Sequence, residues 1–126
     1  MDDRGLLEFI YPEGKRPVTD FVVELEPKMQ VKLLALIRTL CSYEHIYKPP
    51  LFKAFKTPKY KGLVELRVRI KEMARVIFYL NDNGDVVLLH GFIKKHPKST
   101  EQALKTARAR KLALDYNDAD TIDFFE

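Results

Sequence analysis

Between Leu63 and Ile70 the residues alternate: Val64, Leu66, Val68 and Ile70 are apolar, while Glu65, Arg67 and Arg69 are charged. In an extended strand this period of two places the apolar set on one face and the charged set on the other. A second alternating run, Ala74 to Leu80, opposes Arg75, Ile77 and Tyr79 to Val76, Phe78 and Leu80, and a third strand, Val86 to Ile93, leads into Lys94-Lys95-His96. If helices cover the apolar face, cations from three adjacent strands gather on the other, with one carboxylate and one phenol among them. Such a cluster is electrostatically costly when empty and favourable when an anion binds, which is the logic of a phosphate site. The competing account is a solvated strand face, with Glu65 pairing across the sheet to neighbouring arginines.

Other chemistry-bearing residues carry weaker signals. His90 lies in an apolar run and reads as a hydrogen-bonded core histidine rather than a catalyst. Cys41 follows a helical leucine and reads as a small buried group. Tyr43, Tyr47, Phe52 and Phe55 either stack on bases or plug their segment onto the body. A single cysteine excludes an intrachain disulfide framework and a cysteine-rich zinc site. The three histidines (His45, His90, His96) have no metal-ligand spacing.

The elements that must position these groups can be read from hydrophobic pattern and turn chemistry. Leu6 to Tyr11 is a short strand closed by Pro12-Glu13-Gly14. Val18 to Leu25 is a short helix with Pro17 in its first turn. Pro27 opens a second helix, whose stripe of Met29, Leu33, Leu36, Ile37 and Leu40 is core packing. From Ser42 to Tyr60 the pattern is irregular. The three strands follow, with Asn83-Gly84 as a hairpin turn and Val86 to Ile93 apolar on both faces, as in a central strand. A last helix runs from about Ser99 to Leu114, with Ser99 and Gln102 in a capping-box pattern. The order β-α-α-β-β-β-α is that of an α+β domain with an antiparallel meander.

At 126 residues the chain is one domain with enough apolar content to form a core. No apolar run approaches the roughly 18 residues of a membrane helix, and Met1-Asp2-Asp3-Arg4 does not open a signal peptide. A cytoplasmic domain without a membrane partner is expected. Of 22 basic and 18 acidic residues, five acids fall after residue 114, where there is no Lys or Arg. The chain therefore divides into a +9 body and a −5 tail. A basic body suits a polyanion. The tail is read either as a solvated end or as a segment lying over the basic surface.

Gly62-Leu63-Val64-Glu65-Leu66-Arg67-Val68, Arg75-Val76-Ile77-Phe78-Tyr79, Leu88-Leu89-His90-Gly91-Phe92-Ile93-Lys94-Lys95, and Ala103 with Ala107 to Arg110 carry a family likeness. Together with Arg16-Pro17-Val18, they resemble the phage-derived, HigB-like branch of the RelE/ParE toxin superfamily, over roughly Leu6 to Tyr116. The resemblance implies a RelE-like α+β fold: a small antiparallel sheet, an N-terminal helical hairpin and a C-terminal helix. It implies a toxin domain over 1–114, with the acidic tail 115–126 extending past the family's usual end.

The implied function is that of a type II toxin–antitoxin toxin, a ribosome-dependent mRNA endoribonuclease that needs no metal or other cofactor. In that reaction the RNA 2′-hydroxyl attacks the adjacent phosphate and the 5′-oxygen leaves, which demands a base, an acid and positive charge on the phosphorane. Arg67 would stabilise charge or orient the 2′-hydroxyl, Arg75 would hold the scissile phosphate, and Lys94 and Lys95 would stabilise the transition state. Glu65, the only carboxylate among these cations, is the candidate base. Arg69, Lys71, Tyr79, His96 and Lys98 would bind RNA. Where many members carry a tyrosine or histidine soon after the basic pair, this chain has His96-Pro97-Lys98-Ser99, so His96 or Tyr79 would supply the acid. The implied partners are mRNA on the ribosome and a cognate antitoxin of helix-turn-helix type encoded adjacent. The superfamily also contains gyrase poisons, and a degenerate module that only binds RNA or protein is a further alternative.

Overall fold

A computed structural model describes residues 4–41, 51–69 and 71–125. Ile70, Tyr43, His45 and Tyr47 lie outside the described residues. The elements are β1 (Leu6–Ile10), α1 (Pro17–Val23), α2 (Pro27–Thr39), β2 (Phe52–Ala54), β3 (Val64–Arg69), β4 (Met73–Leu80), β5 (Val86–Ile93), α3 (Lys98–Asp115) and β6 (Asp120–Asp123), with one 3-10 turn at Pro58–Tyr60. Both N-terminal helices begin on a proline. A first-turn residue has no carbonyl to donate to, so the missing N–H costs nothing there.

The six strands form one sheet in the order β2-β3-β4-β5-β1-β6. The expected α+β architecture is present: β3, β4 and β5 are the antiparallel meander, and α3 is the C-terminal helix. β1 joins it in parallel beside β5, and β6 closes the outer edge antiparallel to β1. In the turn between β4 and β5, Gly84 takes a positive φ of 82°. The β4–β5 register slips by one residue, with Ile77 opposite His90 but Phe78 opposite Leu88. This bulge leaves Leu89 as the extra residue.

Helices cover both faces of the sheet. On one, Val18 and Val22 of α1 and Met29, Leu33 and Ile37 of α2 pack on Leu66, Val68, Val76, Phe78 and Leu88. On the other, Ala103, Leu104 and Ala107 of α3 pack with Phe9, Ile77, Val87 and Leu89, joined by Tyr60 and Leu63. Gly91 lets α1 sit close to the sheet, since a Cβ there would lie 2.3 Å from the Phe21 ring.

Several expectations are corrected. The segment read as irregular contains β2, whose Phe52 is buried in the core, so that ring plugs the segment rather than stacking on a base. Cys41 is half-buried rather than fully buried. Ser99 does not cap α3, which starts at Lys98. Its Oγ instead accepts from the backbone N–H groups of Lys95 (3.4 Å) and His96 (3.3 Å), bracing the turn before the helix. The acidic tail is neither a free end nor a cover for the basic surface. Asp120 to Asp123 form β6, and Phe124 is buried among the residues under α1 and α2.

One buried charge cluster escaped the sequence reading. Glu8, fully buried in β1, accepts from Arg16 Nε (3.0 Å) and Nη2 and from the Thr19 N–H (3.1 Å) and hydroxyl (2.9 and 2.7 Å). Arg16 also donates to the Asp123 carbonyl at 3.2 Å. The cluster ties α1, β1 and β6 together, and its carboxylate is satisfied on both oxygens. Among the described residues no helix is long and apolar enough to cross a membrane.

Candidate functional site

Pairing of β3 with β4 sets Arg67 directly opposite Arg75. Two like charges facing each other across strands repel. Glu65, two residues earlier on the same face of β3, offsets that repulsion. Its Oε1 accepts from Arg67 Nε at 3.0 Å and from Arg75 Nη1 at 2.9 Å. The Glu65 side chain has no exposed surface, that of Arg75 is 5% exposed and that of Arg67 is 31% exposed. The three thus form a graded array, from a carboxylate inside to a guanidinium that reaches solvent. Glu65 Oε2 and Arg75 Nε are buried without a hydrogen-bond partner. One acceptor oxygen and one donor N–H of the array are therefore uncommitted.

The remaining expected cations reach this end of the sheet to different degrees. Arg75 stands opposite Phe92, two residues before Lys94. The Lys94 N–H donates to the Met73 carbonyl at 2.9 Å, which fixes the end of β5 beside the start of β4. Lys94 is half-buried, whereas Lys95, His96 and Lys98 are exposed in the turn into α3. Arg69, also exposed, ends β3 opposite Met73. The β3 and β4 ends, the β5 end and the start of α3 therefore lie at one end of the sheet, which carries Arg67, Arg69, Arg75, Lys94, Lys95, His96 and Lys98, and of these Arg67 and Arg75 bond the buried Glu65.

Two expected residues are placed apart. Lys71, in the β3–β4 turn, lies 3.9 Å from Glu26 at the start of α2, with both side chains exposed. Tyr79 stands opposite Val87 at the far end of β4, four residues from Arg75 and roughly 13 Å away along the strand. Its ring lies under Lys111 Nζ, 5.0 Å from the centroid. Burial, followed by the charges of Asp115 and Asp82, raises the phenol pKa. Tyr79 is thus part of the α3 contact rather than of the arginine cluster.

Sequence reading also missed Arg110 as a hub. Carried on α3, it turns inward and donates to the Tyr11 hydroxyl (3.1 Å), the Leu89 carbonyl and His90 Nδ1 (both 3.0 Å). Because a guanidinium only donates, Nδ1 is the acceptor and the neutral ring carries its proton on Nε2. Burial, and then Arg110, push the His90 pKa down to about 4. His90 is the hydrogen-bonded interior histidine that its apolar run suggests, stacked on Phe92 with centroids 5.8 Å apart.

A cleft of about 500 Å³ lies at the β1/β6 edge and is lined by Tyr11, Asn117, Asp118 and Asp120 among others. It carries carboxylates and no Lys or Arg, so it does not suit an anion. The arginine cluster, with its partly exposed guanidinium, is the candidate site. A sequence model described as Phage derived protein Gp49-like (DUF891) matches residues 20–112, a span that contains every residue of that cluster. No curated protein matches the sequence significantly.

Proposed function

Because the chain belongs to the phage-derived Gp49-like family, a RelE-like toxin family, we propose that it is the toxin of a type II toxin–antitoxin pair, of HigB-like type, and cleaves mRNA on the ribosome without a metal. The observation that carries this reading is the Arg67–Glu65–Arg75 array with Lys94 and Lys95 beside it. A phosphodiester carries its charge on two oxygens, and the phosphorane formed from it carries more. Partly exposed Arg67 and the flanking lysines would meet that growing charge from positions fixed before substrate arrives.

In the proposed reaction the 2′-oxygen bonds to phosphorus and gives its proton to water, the P–O5′ bond breaks, and the 5′-oxygen takes a proton from His96. Arg67 contacts the phosphate, and Lys94 and Lys95 stabilise the transition state. Arg75, almost fully buried, acts from behind Arg67. Glu65 is buried and shared between both guanidiniums, which suits a positioning residue better than a base touching the 2′-hydroxyl. His96, exposed in the turn after the lysine pair, is better placed than Tyr79 to exchange the proton with the leaving oxygen. Arg69 and Lys98 extend the cationic surface for RNA. A helix-turn-helix antitoxin would cover this end of the sheet, and an acidic segment would complement it.

Primer extension on mRNA in a reconstituted translation reaction, with and without ribosomes, tests the reading. Cuts are expected only with translating ribosomes, and Arg67→Gln or Lys94→Gln should remove them while the variants melt cooperatively. Absence of cuts by the wild-type chain, or full cutting by a folded Arg67→Gln protein, would overturn it. Gyrase-dependent DNA breakage in place of cuts would assign the chain to the gyrase poisons.

A further inference from the structure

On the same face as Glu65 and Arg67, a smaller cleft of about 120 Å³ lies between α3 and the segment before β3, lined by Lys59, Lys61, Leu63, Arg108, Lys111 and Leu112. Four of its six lining residues are cations and none is acidic. Lys59, Lys61 and Arg108 are exposed, and among the described residues none of the three has an ion-pair partner. Lys111 is paired only with Asp115, at 3.4 Å.

This is a built seat rather than a scatter of surface lysines. The 3-10 turn Pro58–Tyr60 is closed by the Tyr60 N–H on the Thr57 carbonyl (2.9 Å) and followed by the Leu63 N–H on the Tyr60 carbonyl (3.1 Å). Gly62 takes a φ of 95°, a conformation side-chain-bearing residues avoid, and so turns the chain between Lys61 and Leu63. The Tyr60 hydroxyl donates to Glu101 of α3 at 2.9 Å, and Tyr60 itself is buried. The backbone that carries Lys59 and Lys61 is thereby fastened to the helix that carries Arg108 and Lys111. The walls are set without a ligand, and the cost of bringing four cations together is already met by the fold.

We infer that this cleft is a second phosphodiester seat, binding the backbone of a single-stranded RNA whose scissile phosphate lies at Arg67. The inference rests on the proposed ribonuclease reading. Leu63, in the cleft wall, precedes Arg67 by four residues on the same strand face, so the two sites are roughly 13 Å apart. Lys94 and Lys95 precede α3, Lys98 opens it, and Arg108 and Lys111 lie 10 and 13 residues further on, so the cleft stands toward the other end of the helix from the lysine pair. The volume is several times what one water molecule requires, and admits a phosphate group but not a duplex.

The test is fluorescence anisotropy with a short, labelled 2′-O-methyl RNA, which binds but cannot be cut, titrated at several salt concentrations. Each phosphate contact on a single strand contributes about 0.7 to the slope of log K against log salt. Lys61→Ala with Arg108→Ala, which removes the phosphate contact of this seat, is expected to lower the slope by about 0.7, with the melting temperature unchanged because both side chains are exposed. A wild-type slope and affinity in that double variant would overturn the inference, as would loss of an acidic-peptide complex with RNA binding intact, since the cleft would then be a protein site. Competition by inorganic phosphate at constant ionic strength that abolishes the difference between variant and wild type would show a seat for the free ion, which also overturns it. Cutting on translating ribosomes is read separately, so a wild-type chain that binds RNA with the full slope but does not cut would refute the ribonuclease reading and leave the seat standing.

Discussion

Replacing Glu65 by alanine tests how the two arginines are held. In the native array one buried carboxylate oxygen bonds both guanidiniums, and Arg75 is 5% exposed. Removing the carboxylate leaves the Arg75 charge buried with no counter-ion, which costs about 3–5 kcal/mol. Arg67, nearly a third exposed, loses a pair that water largely replaces, and adds less than about 1 kcal/mol. A domain of this size has a total stability of roughly 5–15 kcal/mol. The variant should therefore unfold at much lower urea, with a melting temperature lower by on the order of 10–20 °C. Glu65→Ala combined with Arg75→Met removes both the buried charge and its partner and should recover most of the loss, because an apolar replacement of a buried pair is often neutral. The assay is urea unfolding followed by far-UV circular dichroism, with wild type and both variants at one pH. A Glu65→Ala loss below about 1 kcal/mol, or a double variant no better than the single one, would refute the account of Glu65 as the clamp of the array.

Three further outcomes are expected. The folded pKa of His90 is about 4 against an ordinary 6.5, so the unfolded chain binds more protons between those values. Stability present above pH 6.5 should then be lost as pH falls toward 4, by roughly 3 kcal/mol at 1.36 kcal/mol per unit. His90→Gln, which keeps an acceptor for Arg110, should flatten the dependence of the urea midpoint across that range, and an unchanged pH profile would count against it. Gly91→Ala drives a methyl to within 2.3 Å of the Phe21 ring and should cost about 1–3 kcal/mol, with partial rescue by Phe21→Leu; equal urea midpoints for Gly91→Ala and wild type would contradict that packing. Phe124→Ala should cost about 3 kcal/mol because that ring is buried under α1 and α2, and a loss below 1 kcal/mol would mean that the tail does not support the fold.

The parts of the fold that the sequence makes legible are those governed by local pattern. Alternation gave β3 and β4, an unbroken apolar run gave β5, a 3.6-residue stripe gave α2, and the arginines of β3 and β4 do share a face, because strand period two leaves no other choice. Three features were not legible, each for a nonlocal reason. β2 and β6 are edge strands of three and four residues, too short to show a period, and only pairing partners define them. Glu65 is buried on the sheet face where α3 packs on β4 and β5, and an exposed charged face had been expected there. The inward turn of Arg110 depends on Tyr11 and His90, residues 99 and 20 positions away. Tyr79 was grouped with Arg75 because both alternate onto one face, but a shared face does not bring together residues four positions apart along a strand.

The placement of β1 has a consequence for how the molecule assembles. β3, β4 and β5 join through short turns, so the strands that carry Glu65, Arg67, Arg75 and the path to Lys94 meet at low loop-closure cost. β1 has no local partner: Leu6 pairs with Val86 and Leu7 with Asp123, near the opposite end of the sequence. Contacts of such long sequence separation are slow to form and give nothing back until the intervening chain is ordered. The meander is thus expected to gain hydrogen-exchange protection first during refolding, and the β5–β1–β6 seam last. The cationic array would take shape on a sheet that is still open along one side.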